Sequence, residues 1–309
     1  MSRKHDRPAD HVQRRFHLAG QPVDTPALPP GLYVVATPIG NLGDVTLRAL
    51  QTLAGADLIA CEDTRVTRTL LDRYGITTRL TPYHDHNAAQ ARPMLLQALA
   101  GGAAVALVSD AGTPLISDPG FKLVRAAVEA GHVVTPLPGA SALLAALAVA
   151  GLPTDQFLFA GFLPPKQAAR RARIAELARI PATLVLYETA PRIAATLVDL
   201  AAGLGERDAA LCRELTKLHE EVRRGDLATL AQACAASEPR GELVLVIAPP
   251  QAPARVSADD ADALLRQALD RASLKDAVGE VADATGLPRR EVYQRALALT
   301  KETDDAAPP

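Results

Sequence analysis

Residues 105–120 read "VALVSDAGTPLISDPG". Val105 to Val108 are all apolar and run straight into Ser109-Asp110-Ala111-Gly112. Two prolines, a second Ser-Asp pair at Ser117-Asp118 and Gly120 follow. An unbroken apolar run is the pattern of a strand buried on both faces. Its tip here carries a carboxylate, hydroxyls and backbone-shaping residues. Asp110 beside Ala111-Gly112 sets a carboxylate next to backbone that a ligand can approach closely. Asp118-Pro119 fits a helix start, with Asp118 as N-cap and Pro119 at the first helical position. Such a mouth offers an acceptor for an ammonium and N–H donors for a carboxylate, which an amino-acid moiety needs. A capped turn without a ligand accounts for the same residues.

The stretch belongs to a series. "LYVVA" (32–36), "DLIAC" (57–61), "AAVALVS" (103–109) and "HVVTPL" (132–137) read as strands. Segments 45–54, 64–75, 88–100 and 120–130 lie between and after them with helical apolar spacing. Strands alternating with helices predict a parallel sheet covered on both faces, with ligands beyond the carboxyl ends of the strands. A second series, "FLFAG" (157–161), "TLVLYE" (183–188), "DAALCREL" (208–215) and "ELVLVIA" (242–248), is less regular and suggests a mixed sheet. The reading is an α/β protein of two α/β domains with a cleft between them and a small C-terminal helical domain. The expected division is a disordered leader at 1–29, domains at 30–138 and 139–249, a Pro-rich linker at 250–258, helices at 259–300 and a disordered tail at 301–309.

Composition narrows the function. Apolar residues make up 48% of the 309, enough for sizeable cores. Aromatics are 3% and Trp is absent, which argues against binding by extended base stacking. A net charge of −2 does not announce a nucleic-acid binder, so any RNA contact needs local basic patches. Cys61, Cys212 and Cys234 are isolated, against a disulfide framework or a zinc cluster and for a reducing cytoplasm. No apolar run reaches the roughly 20 residues of a membrane span, and "MSRKHDRPADHVQRRF" lacks the apolar core of a signal peptide. "ATPIGNLGD" (36–44) follows a strand but lacks G-x-G-x-x-G, and nothing matches G-x-x-x-x-G-K-[ST], so hydride transfer and phosphate cradling lose ground. Asp44 reads equally well as the cap of helix 45–54. "PLPGASALLAALAVAGLP" (136–153) ends a strand at Pro138-Gly139 and opens a helix with Ser141 in its first turn, where bare N–H groups can meet a carboxylate or ribose.

"LYVVATPIGNLGDVTLRAL", "CEDTRVTRTLL", "YHDHN", "VSDAGTPLISDPG", "PLPGASALLAAL", "GFLPPK" and "LYETAPRI" stand in the order and spacing of one family. Over about residues 31–299 the sequence resembles the ribosomal RNA small subunit methyltransferase I family, in the tetrapyrrole-methylase-like class of S-adenosylmethionine enzymes. The resemblance implies 2′-O-methylation of a cytidine in 16S rRNA, a homodimer, and the rRNA or small ribosomal subunit as partner. It implies cofactor contacts at Pro38, Ser109, Asp110, Ala111, Gly112, Ile116, Ser117, Asp118, Pro138 and Gly139. Tyr187, Leu215 and Leu243 fall at the adenine side of the second domain.

A sulfonium methyl needs alignment rather than a metal, and a ribose hydroxyl benefits from a base. Candidates are Glu62 and Asp63 in "CEDTR", His84 in "YHDHN", Glu188, and Lys217 if its pKa is lowered; Arg65 can clamp a phosphate. Asp63 or Thr64 also fits as a helix cap. His84-x-His86 lacks a third ligand at a recognisable spacing, so no metal is expected. Two basic features point toward RNA. In "PPKQAARRAR" (164–173), Lys166, Arg170 and Arg173 share a helical stripe that later carries Leu177. In "LKDAVGEVADATGLPRREVYQRAL" (274–297), a helix pair around Gly286-Leu287-Pro288 is dressed by Lys275, Arg289, Arg290 and Arg295. Competing readings are a methylase acting on a tetrapyrrole or a protein histidine derivative, and a helix-turn-helix regulator with a small-molecule sensor body.

Overall fold

A computed structural model describes residues 14–116, 120–250 and 258–305. The chain forms two compact units, the first ending at Pro249 and the second beginning at Pro250. Within the first unit a hairpin of β1 (Arg15–Leu18) and β2 (Gln21–Asp24) leads into β3 (Gly31–Val35), α1 (Leu47–Gly55), β4 (Leu58–Cys61) and α2 (Thr64–Arg73). β5 (Leu80–Pro82), α3 (Ala88–Ala100), β6 (Ala104–Leu107), α4 (Phe121–Glu129) and β7 (Val134–Leu137) complete a five-stranded sheet of order β5-β4-β6-β3-β7. Every pair in it is parallel.

β3 and β6 are buried at every residue, as their apolar sequences require. α1 and α2 cover one face, where Leu50, Leu53 and Leu71 pack on Tyr33 and Val35. α3 and α4 cover the other, where Leu95, Leu99 and Leu123 pack on Leu32, Val105 and Leu107. From β3 the chain crosses to β4 on one side; from β6 it crosses past β3 to β7 on the other. Right-handed crossovers of opposite direction need helices on opposite faces, which is what α1 and α4 supply. β3 and β6 are therefore neighbours at the topological switch point, where a crevice opens beyond the strand ends.

The second sheet follows α5 (Ala142–Ala150). It comprises β8 (Phe157–Phe162), α6 (Gln167–Leu177), β9 (Thr183–Thr189), α7 (Ala190–Leu204), β10 (Asp208–Arg213), β11 (Glu221–Asp226), α8 (Leu227–Ala236) and β12 (Glu242–Ile247). The order is β11-β10-β12-β9-β8, with only β8–β9 parallel, so the sheet is mixed. α6, α7 and α8 pack on one face. α5 packs on the other, with Leu143 and Leu147 against Val185, Ala210 and Val244.

Part of the expected leader is ordered. Phe16 of β1 is 1% exposed in the core of the first sheet, and the His17 amide donates to the Tyr74 carbonyl. One buried aromatic and a paired backbone outweigh the polar composition around them. Residues 1–13 of that leader lie outside the described residues.

The second unit contains α9 (Ala258–Leu269), α10 (Leu274–Thr285) and α11 (Arg289–Asp305) around Leu265, Val278, Val281, Val292 and Leu299. Gly286 ends α10 at φ 69°, a left-handed C-cap. α11 extends to Asp305, five residues into the expected disordered tail. Most of the expected linker, 251–257, and the last residues, 306–309, lie outside the described residues. Among the described residues no helix is long and apolar enough to cross a membrane.

Candidate active site

The tips of β3 and β6 are tied together. The Thr37 amide donates to the Gly112 carbonyl at 2.9 Å, and the Gly112 amide donates back to Thr37 at 3.0 Å. The Thr37 hydroxyl donates to the Ser109 carbonyl at 3.1 Å, and the Ser109 hydroxyl to the Gly112 carbonyl at 3.2 Å. Gly112 sits at φ 82°, a conformation that favours glycine. This knot projects Asp110 and Ala111 from the sheet. Asp110 Oδ1 accepts the Asp63 amide at 2.8 Å, joining the tips of β6 and β4. Asp110 Oδ2 has no partner among the described residues.

Three cavities adjoin these tips. The first, about 380 Å³, is walled by Ile39, Ala111, Gly112, Ile116 and Ser141 on one side and by Phe162, Tyr187, Leu215 and Leu243 on the other. The rings of Phe162 and Tyr187 are 5.7 Å apart, edge to face. The second, about 320 Å³, takes in Pro38, Ser109, Asp110, Lys217 and Glu242. The third, about 460 Å³, takes in Glu62, Asp63, Arg65, His84, His86 and Asp110. Ile39, Ala111 and Glu242 wall both the first and the second, and Asp110 walls both the second and the third. The cavities thus form one row.

The structure brings together most of the expected cofactor residues: Pro38, Ser109, Asp110, Ala111, Gly112, Ile116, Tyr187, Leu215 and Leu243. Pro138 and Gly139 are not among the cavity walls. Gly139 lies so close to the residue after β3 that a Cβ there would stand 2.8 Å from Ala36 Cβ. Ser117 and Asp118, with the cap expected of Asp118, lie outside the described residues. Thr46 rather than Asp44 caps α1. Phe162 lines the first cavity without having been singled out for it, beside Thr113 and Ser141 of the two expected loop mouths. An aromatic at the end of strand "FLFAGF" was the available signal for Phe162.

Lys217 is a clasp, not a lowered-pKa base. Its Nζ donates to Glu214 at 2.9 Å and to Glu242 at 2.8 Å. Burial opposes its charge, but the two carboxylates outweigh burial and raise its pKa. Its stem lies over Gly40, where an added Cβ would stand 2.5 Å from Lys217 Cγ. The clasp is built on a turn with Glu214 and Thr216 at positive φ (50° and 69°), unusual for non-glycine residues.

The acidic candidates are also engaged. Asp63 caps α2, accepting the Arg65 amide at 2.8 Å, while the Arg65 guanidinium holds both its oxygens. The guanidinium first, and the amide next, hold the Asp63 carboxyl down to about 2. So stable a carboxylate is a weak base, which moves that role away from Asp63. Arg65 stays 89% exposed by side chain at the rim, and Glu62 is exposed beside it. Glu188 lines the first cavity, but its carboxylate is enclosed. It accepts from the Thr189 amide at 2.8 Å and the Thr196 hydroxyl at 2.7 Å, and pairs with Arg192 at 3.2 Å, with its side chain 1% exposed.

The basic stripe of α6 is only partly on the surface. Arg170 is buried and pairs with the fully buried Asp199 of α7 at 2.6 Å, so it cannot reach a phosphate. Asp199 also accepts from exposed Arg171 at 2.7 Å. Arg173 pairs with Glu176, and Lys166 is exposed without an ion pair among the described residues. The signal for Arg170 was Asp199, an acid on the apolar face of α7. In the second unit Arg289 and Arg290 are exposed at the start of α11, with Arg289 3.6 Å from Asp283.

Residues 31–231 match the model of the Tetrapyrrole (Corrin/Porphyrin) Methylases, and residues 255–300 that of the RsmI C-terminal HTH domain. A Mesorhizobium japonicum protein named ribosomal RNA small subunit methyltransferase I is 52% identical over 91% of this chain and 97% of its own. One of the same name from Erythrobacter litoralis is 53% identical over 88% of this chain and 96% of its own. Among solved structures, uroporphyrin-III C-methyl transferase from Thermus thermophilus, complexed with S-adenyl homocysteine, shares the fold. It aligns with a TM-score of 0.51 at 20% identity, over 71% of this chain and 97% of that one. With a family model over most of its length and relatives above half identity, the chain belongs to the tetrapyrrole methylase family, in the group named ribosomal RNA small subunit methyltransferase I.

Proposed function

We propose that this chain transfers the methyl group of S-adenosylmethionine to a cytidine ribose 2′-hydroxyl of 16S rRNA, in the cytoplasm and as a homodimer. The observation that carries this reading is the row of three cavities, apolar at one end and open at the other, in a chain whose relatives are named for small-subunit ribosomal RNA. The residues present fit the cofactor. Phe162, Tyr187, Leu215 and Leu243 give the first cavity an apolar wall for a base. Gly112 lets backbone come close, and Asp110 Oδ2 offers an acceptor for an ammonium. Pro38, Ser109, Ala111 and Ile116 complete the cradle.

Bound S-adenosylmethionine supplies a methyl on a sulfonium, already activated for transfer. The chain's task is to hold the acceptor in line and to exclude water. Arg65, exposed beyond its pair with Asp63, presents N–H groups toward a phosphate at the third cavity. Lys166 at the N-cap of α6, Arg173 on that helix, and Arg289 and Arg290 on α11 are the further phosphate contacts we assign.

The test is methyl transfer from labelled cofactor, run in parallel on small ribosomal subunits, free 16S rRNA, DNA and uroporphyrinogen. Label in a ribosomal arm supports the reading. Label confined to uroporphyrinogen would make the protein a small-molecule methylase, and no label in any arm would end the proposal.

A further inference from the structure

We infer that His84 takes up the proton of the acceptor hydroxyl in the third cavity, an inference that rests on the function proposed above. The other candidates are occupied. Asp63 is held by Arg65 and caps α2, Glu188 is enclosed by Thr189, Thr196 and Arg192, and Lys217 is clasped by Glu214 and Glu242. Glu62 stands exposed at the rim.

His84 differs from all of these. It lines the third cavity with Asp110, and its Nδ1 lies out of water with no hydrogen-bond partner among the described residues. With Nδ1 shut off from solvent, the edge of the ring at the cavity wall is the part that a substrate hydroxyl can meet.

The position of the residue is fixed from its backbone. The His84 amide donates to Asn87 Oδ1 at 2.8 Å, and Asn87 Nδ2 donates to the Pro82 carbonyl at 2.9 Å. The His84 carbonyl accepts the amides of Asn87 and Ala88 at the start of α3. The turn between β5 and α3 is thereby closed on itself, with the ring at the cavity wall. From the neighbouring elements, Glu62, Asp63 and Arg65 of the β4–α2 corner and Asp110 of the β6 tip face the same cavity, as does His86 of its own turn.

In the step, the acceptor oxygen bonds to the methyl carbon as the carbon–sulfur bond breaks. The electron pair of that bond stays on sulfur, leaving neutral S-adenosylhomocysteine. The hydroxyl proton passes to a ring nitrogen of His84 and later to water.

The experiment is single-turnover methylation of small ribosomal subunits between about pH 5.5 and 8.5, the range in which imidazoles titrate. Wild type, His84→Gln and His84→Ala are compared, with cofactor affinity measured by calorimetry. Wild type should slow toward acid. Both variants should bind cofactor normally, lose about 10²-fold or more in rate and lose the acid limb. Added imidazole should restore part of the rate to His84→Ala. A folded variant with wild-type rate and profile overturns the inference, and so does a flat wild-type profile, which needs no variant. A wild type that methylates no ribosomal substrate would instead fail the proposed function itself.

Discussion

Replacing Asp110 by Asn isolates the charge that we assign to the cofactor's ammonium. Asn keeps an oxygen where Asp110 Oδ1 accepts the Asp63 amide at 2.8 Å, so the link between the β6 and β4 tips survives. What is lost is the negative charge and the full acceptor strength of Oδ2. A charge-assisted hydrogen bond contributes about 1.5–3 kcal/mol, which corresponds to roughly ten- to a hundredfold in affinity. Titration calorimetry with S-adenosylmethionine should show that loss. The same titration with 5′-methylthioadenosine, which lacks the amino-acid moiety, should show almost none, because its contacts fall on the first cavity. Equal losses for both ligands would mean that the substitution damages the cradle as a whole. No loss for either would remove Asp110 from cofactor binding.

Three further outcomes follow from the geometry. Asp63→Asn retains a good N-cap and frees Arg65, so single-turnover methylation should fall by less than the roughly 10²-fold that removal of a general base costs. Asp199→Ala leaves Arg170 buried without its partner and should lower unfolding free energy by about 3–5 kcal/mol in chemical denaturation. The Asp199 carboxyl is held low because the Arg171 and Arg170 bonds outweigh its burial. Its stabilisation is therefore present above the unfolded carboxylate value of about 3.9 and lost as pH falls below it through the folded value; acid unfolding of the wild type, but not of the variant, should carry that increment. Arg289→Glu together with Arg290→Glu should weaken RNA binding and flatten its salt dependence while leaving cofactor affinity unchanged, as measured by filter binding across a salt series.

Local pattern made the first sheet legible. The apolar runs at β3, β4, β6 and β7 and the helices between them stand within a few residues of where periodicity set them, because strands buried on both faces carry a strong signal. β5 and β11 escaped notice because "LTP" is too short and "EVRRGD" too polar to read as strands without their partners. The same limit hid the β1–β2 hairpin, whose stability depends on Phe16 meeting a core built from residues 31–137. At the site, the mouth residues were readable because they are contiguous, as at Ser109–Gly112. The ion pairs that redirect other candidates were not, since Asp199 lies 29 positions from Arg170 and Glu242 lies 25 from Lys217. Asp63 is the instructive case. The cap and the base were both legible in "CEDTR", and only the Arg65 geometry separates them.

The most direct measurement of the central claim is the alkali stability of the labelled product. Small ribosomal subunits are methylated with labelled S-adenosylmethionine, and the extracted 16S rRNA is hydrolysed in base. A methyl on the 2′-oxygen removes the nucleophile that cleaves the chain, so the account predicts label in an alkali-resistant dinucleotide that begins with cytidine. Label released as a mononucleotide would place the methyl on a base and contradict it.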